Sequence, residues 1–216
     1  MNLYVKMEIF IYKRDQILKT EQRKEYKIQC NEFESYQILS YYRKELESIF
    51  EKRKITNLYF DTLNFDIYKH NILNDVDKFT IRYRRYNEEN NFSKEIKINN
   101  DAGKSKIVEK TKYKDFSEIK NTSYRGNIYY PSVFTQYERS YFKTNQLRIT
   151  VDNNIVFKSS KFRNLNQRTS EFRGRIIEFK LLDQNKNFDI LNEIISYPTA
   201  FSKFLVGTKS VYSFLD

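Results

Sequence analysis

The sequence predicts an α+β domain in which antiparallel strands form a sheet or closed barrel with helices packed outside. Three observations point there. Tyr and Phe number 18 each in 216 residues, and with Ile and Val these strand formers dominate the apolar set. Alternating segments follow one another with few helical stretches between them, so the βαβ rhythm of a parallel sheet is missing. Four Gly and two Pro leave no linker or hinge, and the length suits one main domain.

Residues 1–22 read as an N-terminal extension with strand character, because Leu3, Val5, Met7, Ile9 and Ile11 alternate. Lys6 and Glu8 break its apolar run, which argues against a signal peptide or a membrane span and for a cytoplasmic location. The main domain is expected over residues 23–216. Strands are predicted at Lys24–Gln29, Thr56–Asp61, Lys78–Tyr86, Lys94–Ile98, Lys106–Lys110, Phe134–Phe142, Gln146–Asp152 and Arg175–Lys180. A helix is predicted at Glu32–Arg53, where Phe33, Tyr36, Leu39, Tyr42, Leu46 and Ile49 recur at helical spacing. Two more are predicted at Phe188–Ser196 and Ser202–Leu215. Arg43, Lys44, Lys52, Arg53 and Lys54 are then expected on a solvated helix face.

Charge narrows the chemistry. The net charge of +11 favours polyanionic partners: nucleic acid, anionic lipid or phosphate chains. One Cys and one His argue against a disulfide framework or a structural zinc site, and any metal would be held by oxygens, as Mg²⁺ or Mn²⁺ are. "AGKS" at Ala102–Ser105 lacks the upstream glycine of a phosphate-binding P-loop and reads as a hairpin turn.

The strands share one peculiarity. In "KFTIRYRRY", Phe79, Ile81 and Tyr83 lie on one side, and Thr80, Arg82 and Arg84 on the other. "RKEYKIQ" puts Glu25 with Lys27, and "KEIKIN" puts Glu95 with Lys97. "YERSYF" places Tyr137, Arg139 and Tyr141 together. "LRITVD" aligns Arg148, Thr150 and Asp152, and "RIIEFK" aligns Ile176, Glu178 and Lys180. Each strand therefore carries Lys or Arg on a single face. A solvated sheet face explains any one case. Six together suggest apolar faces turned outward under helices and charged faces turned inward around a wet tunnel. Crowded cations need an anion, and a linear phosphate chain meets that need along its length. Carboxylates among them suit a divalent ion.

"EYK", "LYFDT", "IRYRRY", "EIK", "YERSYF", "RITVD", "IEFK" and "FSKF" occur in an order that resembles the VTC domain. That is the polyphosphate polymerase domain of the vacuolar transporter chaperone family, within the triphosphate tunnel metalloenzymes. The resemblance runs from about Arg23 to about Gly207. It implies a closed eight-stranded antiparallel β-barrel that binds ATP, triphosphate or a polyphosphate chain with Mn²⁺ or Mg²⁺.

By position, the resemblance makes Lys27, Arg82, Arg84, Lys97, Arg139, Arg148 and Lys203 phosphate-binding, and Glu178 metal-binding. Lys104 or Lys106 supplies a further cation; Glu25 and Glu95 are additional metal or water-positioning groups. Lys180 belongs to the tunnel or to a salt bridge with Glu178. Arg82, Arg84 and Glu178 carry the catalytic expectation, and Asp61 of "LYFDT" is expected to cap or turn the chain. The implied activity is polyphosphate synthesis from ATP. Hydrolysis of tripolyphosphate or nucleotides, and non-catalytic polyphosphate or RNA binding, stay open; DNA is not expected. Transport would require a separate membrane subunit.

Overall fold

The computed structural model describes residues 19–20, 25–73, 78–87, 92–100, 103–163, 166–182 and 199–212. The strands are β1 (Lys19–Thr20), β2 (Glu25–Cys30), β3 (Glu47–Asp61), β4 (Lys78–Tyr86), β5 (Ser93–Asn100), β6 (Gly103–Lys110), β7 (Thr122–Tyr124), β8 (Asn127–Lys143), β9 (Leu147–Ser159), β10 (Thr169–Phe172) and β11 (Arg175–Leu181). The helices are α1 (Glu32–Tyr41), α2 (Asp66–Ile72) and α3 (Lys203–Val211), with a 3-10 turn at Phe116–Glu118.

The sheet is antiparallel, in the order β1-β6-β5-β4-β3-β8-β9-β11-β2, with β10 attached to β9 and β7 to β8. Eight of these strands, from β6 round to β2, carry the predicted segments. The expected closed barrel is corrected in one respect: among the described residues no backbone ladder joins β2 to β6, so the sheet is an open curl. Side chains bridge the gap instead, since Glu25 of β2 meets Lys97 of β5 and Lys104 of β6 at 3.7 and 3.4 Å.

The predicted helix Glu32–Arg53 is half strand. Asn31 caps α1 through a reciprocal box with Glu34, and the helix stops at Tyr41. From Glu47 onward the chain pairs with β8, as Glu47↔Lys143 through to Asp61↔Tyr130. The apolar residues Leu46 and Ile49 fit a helical period, but a ladder to a long neighbour satisfies this backbone. Arg53 is consequently on a strand and not on a solvated helix face. The helix expected at Phe188–Ser196 and the alternating residues of 1–18 lie outside the described residues.

Strand parity distributes the core as expected for apolar faces turned outward. Ile28, Val151, Ile149, Ile177 and Phe179 pack under α1 with Tyr42 and Leu39. Leu58, Phe60, Ile81, Tyr83 and Ile96 form a second cluster with Phe92, Phe116 and Ile119. Arg85 falls on this outer side, over the rings of Phe92 and Phe116 at 5.5 and 5.4 Å.

Asp61 does cap the chain. Its carboxylate accepts the backbone N–H groups of Thr62, Ile67 and Tyr68 at 2.8, 2.8 and 3.0 Å, tying the end of β3 to α2. Burial nevertheless raises its pKa to about 6, against those bonds and the nearby Arg163. Of the "AGKS" read as a hairpin turn, Gly103, Lys104 and Ser105 instead open β6, with Gly103 at φ 112° in register with Asn100; Ala102 lies outside the described residues.

α3 departs from the expectation of helices packed outside. It lies against the charged, concave face: Phe204 meets Tyr59 at 5.3 Å, and Tyr59 opposes Arg82 across β3 and β4. Gly207 sits where a Cβ would be 2.5 Å from the Phe157 ring. Both are buried too deeply to yield. Gly207→Ala is therefore expected to destabilise the fold by about 1–3 kcal/mol, lowering the melting temperature by about 2–4 °C for each kcal/mol. Thermal denaturation checks this; an unchanged melting point would show that α3 is not seated on Phe157.

Candidate functional site

Period-two alternation and cross-strand register bring the predicted residues together. Thr80 of β4 faces Lys97 of β5, which faces Lys106 of β6; Arg82 opposes Glu95 and Tyr59, and Arg84 opposes Asn57. On the other half, Arg139 opposes Asp152, Glu178 opposes both Thr150 and Lys27, and Lys180 opposes both Arg148 and Glu25. The charged residues that strand parity set on one face lie together on the concave face.

Glu95 organises one side. Its Oε2 accepts from Arg82 Nε at 2.7 Å and lies 2.5 Å from Nη2 of the same guanidinium. Arg84 is 3.6 Å away, and Lys106 donates to the second oxygen at 2.8 Å. Burial alone would raise the carboxyl, but these three cations outweigh it and hold Glu95 well below the usual carboxylate range. Arg84 also donates to Asn57 at 2.8 Å, and Asn57 in turn to Thr135 at 2.9 Å, so a buried polar chain fixes the guanidinium. Both oxygens of Glu95 are taken by cations. In the ligand-free protein Glu95 therefore anchors the arginines.

Asp152 does the same on the far side. It receives both Nε and Nη2 of Arg139 at 2.5 and 2.7 Å, and the Lys203 ammonium at 2.5 Å. That ammonium also lies over the Tyr137 ring at 4.5 Å. Burial pushes Asp152 and Tyr137 up, yet the surrounding cations bring both below their ordinary values. Lys203 begins α3, so the helix that closes this face also delivers a cation to it.

Glu25 and Glu178 form a third group. Lys180 stands 2.8 Å from Glu178 and 3.7 Å from Glu25, which settles it as a salt-bridge partner that also lies on the concave face. Glu25 has Lys27, Lys97 and Lys104 within 3.9, 3.7 and 3.4 Å. Lys27 donates to the Phe201 carbonyl at 3.3 Å, joining β2 to the segment before α3. Lys97 is only partly exposed; desolvation first, then repulsion from Lys27, Arg82 and Lys104, lowers its pKa to about 8 against the pull of Glu25. Among the described residues no ion pair holds Arg148.

Several site residues were not assigned from sequence: Asn57, Tyr59, Tyr137, Thr150 and Asp152. Parity in "LRITVD" and "YERSYF" did place three of them beside assigned arginines. Thr150 is informative because its buried Oγ1 meets no hydrogen-bond partner among the described residues, between Tyr141 and Glu178. A hydroxyl left open beside cations is a ready donor to an anion.

The family model for the VTC domain matches residues 10–121 and 108–212. The chain belongs to the VTC domain family. No curated protein matches it. Among solved structures, a candidate adenylyl cyclase from Hippeastrum, described as having a dominant triphosphatase activity, aligns at 14% identity and a TM-score of 0.56. The alignment covers 88% of this chain and 97% of that one. A candidate adenylate cyclase from Bacillus halodurans aligns at 15% identity and a TM-score of 0.53, over 84% and 94% of the two chains. Another, from Vibrio parahaemolyticus, aligns at 12% identity and 0.51, over 87% and 99%. These likenesses establish the shared fold. No helix among the described residues is long and apolar enough to cross a membrane.

The family implies a divalent ion, and the donor set fits one. Glu25 and Glu178 converge on one cation, the Lys180 ammonium, and both offer hard oxygens. No cluster of three or more His, Cys, Asp or Glu exists among the described residues, so phosphate oxygens and water would complete the coordination.

Two outcomes follow. Glu95→Gln leaves Arg82, Arg84 and Lys106 uncompensated and should cost about 3–5 kcal/mol in denaturant melts; a cost near zero would remove Glu95 as the anchor. For Lys97, the folded pKa of about 8 lies below the ordinary 10.5, so the unfolded chain binds more protons between these values. Stability of the ligand-free protein should therefore rise as pH climbs from 8 to 10.5, and Lys97→Met should flatten that rise.

Proposed function

We propose that the concave face binds the phosphates of a nucleoside triphosphate and transfers a phosphoryl group to a growing polyphosphate chain. The observation that carries this reading is the convergence of Lys27, Arg82, Arg84, Lys97, Lys106, Arg139, Arg148, Lys180 and Lys203 on one concave face, in a chain of the VTC family. Cations so far outnumber carboxylates there that an extended polyanion is the natural complement.

The mechanism needs no side-chain nucleophile. Arg82 and Arg84, held by Glu95 and Asn57, and Arg139, held by Asp152, keep their guanidinium groups fixed before a substrate arrives. Preorganised donors neutralise charge on the transferring group without rearranging at the moment of reaction. Thr150 Oγ1, which has no hydrogen-bond partner among the described residues, and the Arg148 guanidinium, which has no ion pair among them, add further donors. Lys27, Lys97 and Lys180 exchange their bonds to Glu25 and Glu178 for phosphate oxygens, which frees those two carboxylates. Glu25 and Glu178 would hold a Mg²⁺ or Mn²⁺ ion, whose positive charge would offset charge developing on the leaving group. Positioning donor and acceptor in line is then the main contribution of the protein.

Hydrolysis, with water in place of the acceptor, is the second reading. Two observations favour it: α3 covers one end of the concave face, limiting room for a long acceptor, and the Hippeastrum protein of the same fold is described as a triphosphatase. If the product is a long chain to be moved across a membrane, a separate membrane subunit is the partner required. Cytoplasmic ATP would be the donor.

Incubation with ATP and Mn²⁺, followed by separation of long phosphate chains from free phosphate, distinguishes the readings. Long chains are expected; free phosphate alone supports the hydrolase. Replacing Arg82 and Arg84 together by Ala should abolish turnover and weaken tripolyphosphate binding by at least a hundredfold, since two charge-assisted contacts are lost. Intact binding in that variant would sink the proposal, and tight RNA binding with a steep salt dependence would replace it.

A further inference from the structure

The concave face has two unlike ends. α3 covers one of them, where Phe204 packs on Tyr59 and Gly207 on Phe157. Following β3 away from that end, the same face presents Asn57, Ile55 and then Arg53. Arg53 opposes Arg139 across β8 and is surrounded by rings rather than by carboxylates. Its guanidinium carbon lies 4.7 Å from the centre of Phe50, 5.7 Å from Tyr141 and 6.0 Å from Tyr86. Among the described residues no ion pair holds it.

This aromatic end is continuous with the cation cluster. Arg84 Nη1 donates to the Tyr86 hydroxyl at 3.3 Å, and Tyr141 stands two residues beyond Arg139 on the same strand. The rings differ in access to water. Tyr141 is 5% exposed, whereas Phe50 is 46% exposed and meets Tyr141 edge-on at 5.6 Å. Phe50 and Arg53 are three residues apart, so an unbroken strand would send them to opposite faces. A register shift between them against β8 puts both beside Tyr141. An exposed phenyl ring is therefore held next to an arginine, at the end of the phosphate site that no described helix covers.

We propose that this end is the nucleobase subsite: the base of a nucleoside triphosphate lies against Phe50 and the Arg53 guanidinium, and its phosphates run inward to Arg84 and Arg139. The subsite rests on the phosphate reading above and adds to it what the cations alone do not explain, a reason to prefer a nucleotide over inorganic tripolyphosphate. Bases stack on aromatic rings and on guanidinium planes irrespective of sequence. The groups that meet Arg53 here are the rings of Phe50, Tyr141 and Tyr86, which read no base edge. Recognition is consequently tolerant: ATP and GTP bind alike, and pyrimidine nucleotides somewhat more weakly because they stack over less area.

Calorimetric titration of the full chain with ATP and with tripolyphosphate, each in the absence of turnover, tests this. Phe50→Ala should weaken ATP about tenfold or more, the effect of losing one stacked base, and leave tripolyphosphate unchanged. Phe50→Tyr, which keeps the ring, should retain the wild-type affinity for ATP. Phe50 is exposed, so a melting temperature matching the wild type would establish that the alanine variant is folded. An equal loss for both ligands, or no loss for either, would overturn the subsite. If the wild-type protein binds neither ligand, the phosphate reading itself fails and the subsite falls with it.

Discussion

Mutual repulsion among lysines and arginines on a single concave face is the constraint around which the rest of this domain is arranged. Such groups cannot be gathered on a partly buried face unless something compensates them. Glu25, Glu95, Asp152 and Glu178 do so in the ligand-free protein; the first three are each shared between at least two cations, and Glu178 pairs with Lys180. Sharing is economical, because the cations remain in surplus. It is also conditional. A bound phosphate chain supplies the same compensation from outside, so the carboxylates hold the places that phosphate oxygens would take.

The two kinds of compensation differ in permanence. Glu95 and Asp152 are almost wholly buried and grip guanidinium groups, whose planar geometry suits a lasting two-point contact. Glu25 meets ammonium groups at 3.4 to 3.9 Å, looser contacts that can be traded. The first pair therefore builds a rigid frame of arginines. The second group, with Glu178, is the exchangeable part, and it coincides with the side-chain bridge between β2 and the β5–β6 hairpin. Ligand exchange and closure of the curl are thus linked through one residue, Glu25.

Much of this was legible because a strand exposes its two faces at a period of two. The alternation in "KFTIRYRRY" separates Arg82 and Arg84 from Arg85 without any knowledge of neighbours, and the structure divides them the same way. The Glu-x-Lys spacings placed Glu25, Glu95 and Glu178 on the charged side for the same reason. Their roles were another matter. Whether Glu95 anchors arginines or holds a metal depends on what stands across the sheet, and register between distant strands is not written locally. The missed half of β3 shows a different limit. Between Glu32 and Arg53 the apolar spacing is helical throughout, and only pairing with β8 turns its second half into a strand. α3 was visible as a helix, but its place inside the curl follows from Gly207 against Phe157, a contact between positions fifty residues apart.

β3 runs the whole way from the covered end to the open one. From Tyr59, under α3, to Arg53, among the rings, an extended chain advances about 20 Å at about 3.3 Å per residue. The separation between the floor of the groove and its rim is therefore graduated in residues of one strand. A rule of this kind cannot be altered gradually. Inserting or deleting a single residue between Tyr59 and Arg53 would turn part of the scale over, sending Arg53 or Asn57 into the apolar layer. Only two-residue steps, or a compensating bulge such as the one already present beside Phe50, keep the markings on the same side. Relatives that accommodate longer or shorter substrates should accordingly differ in β3 by even numbers of residues.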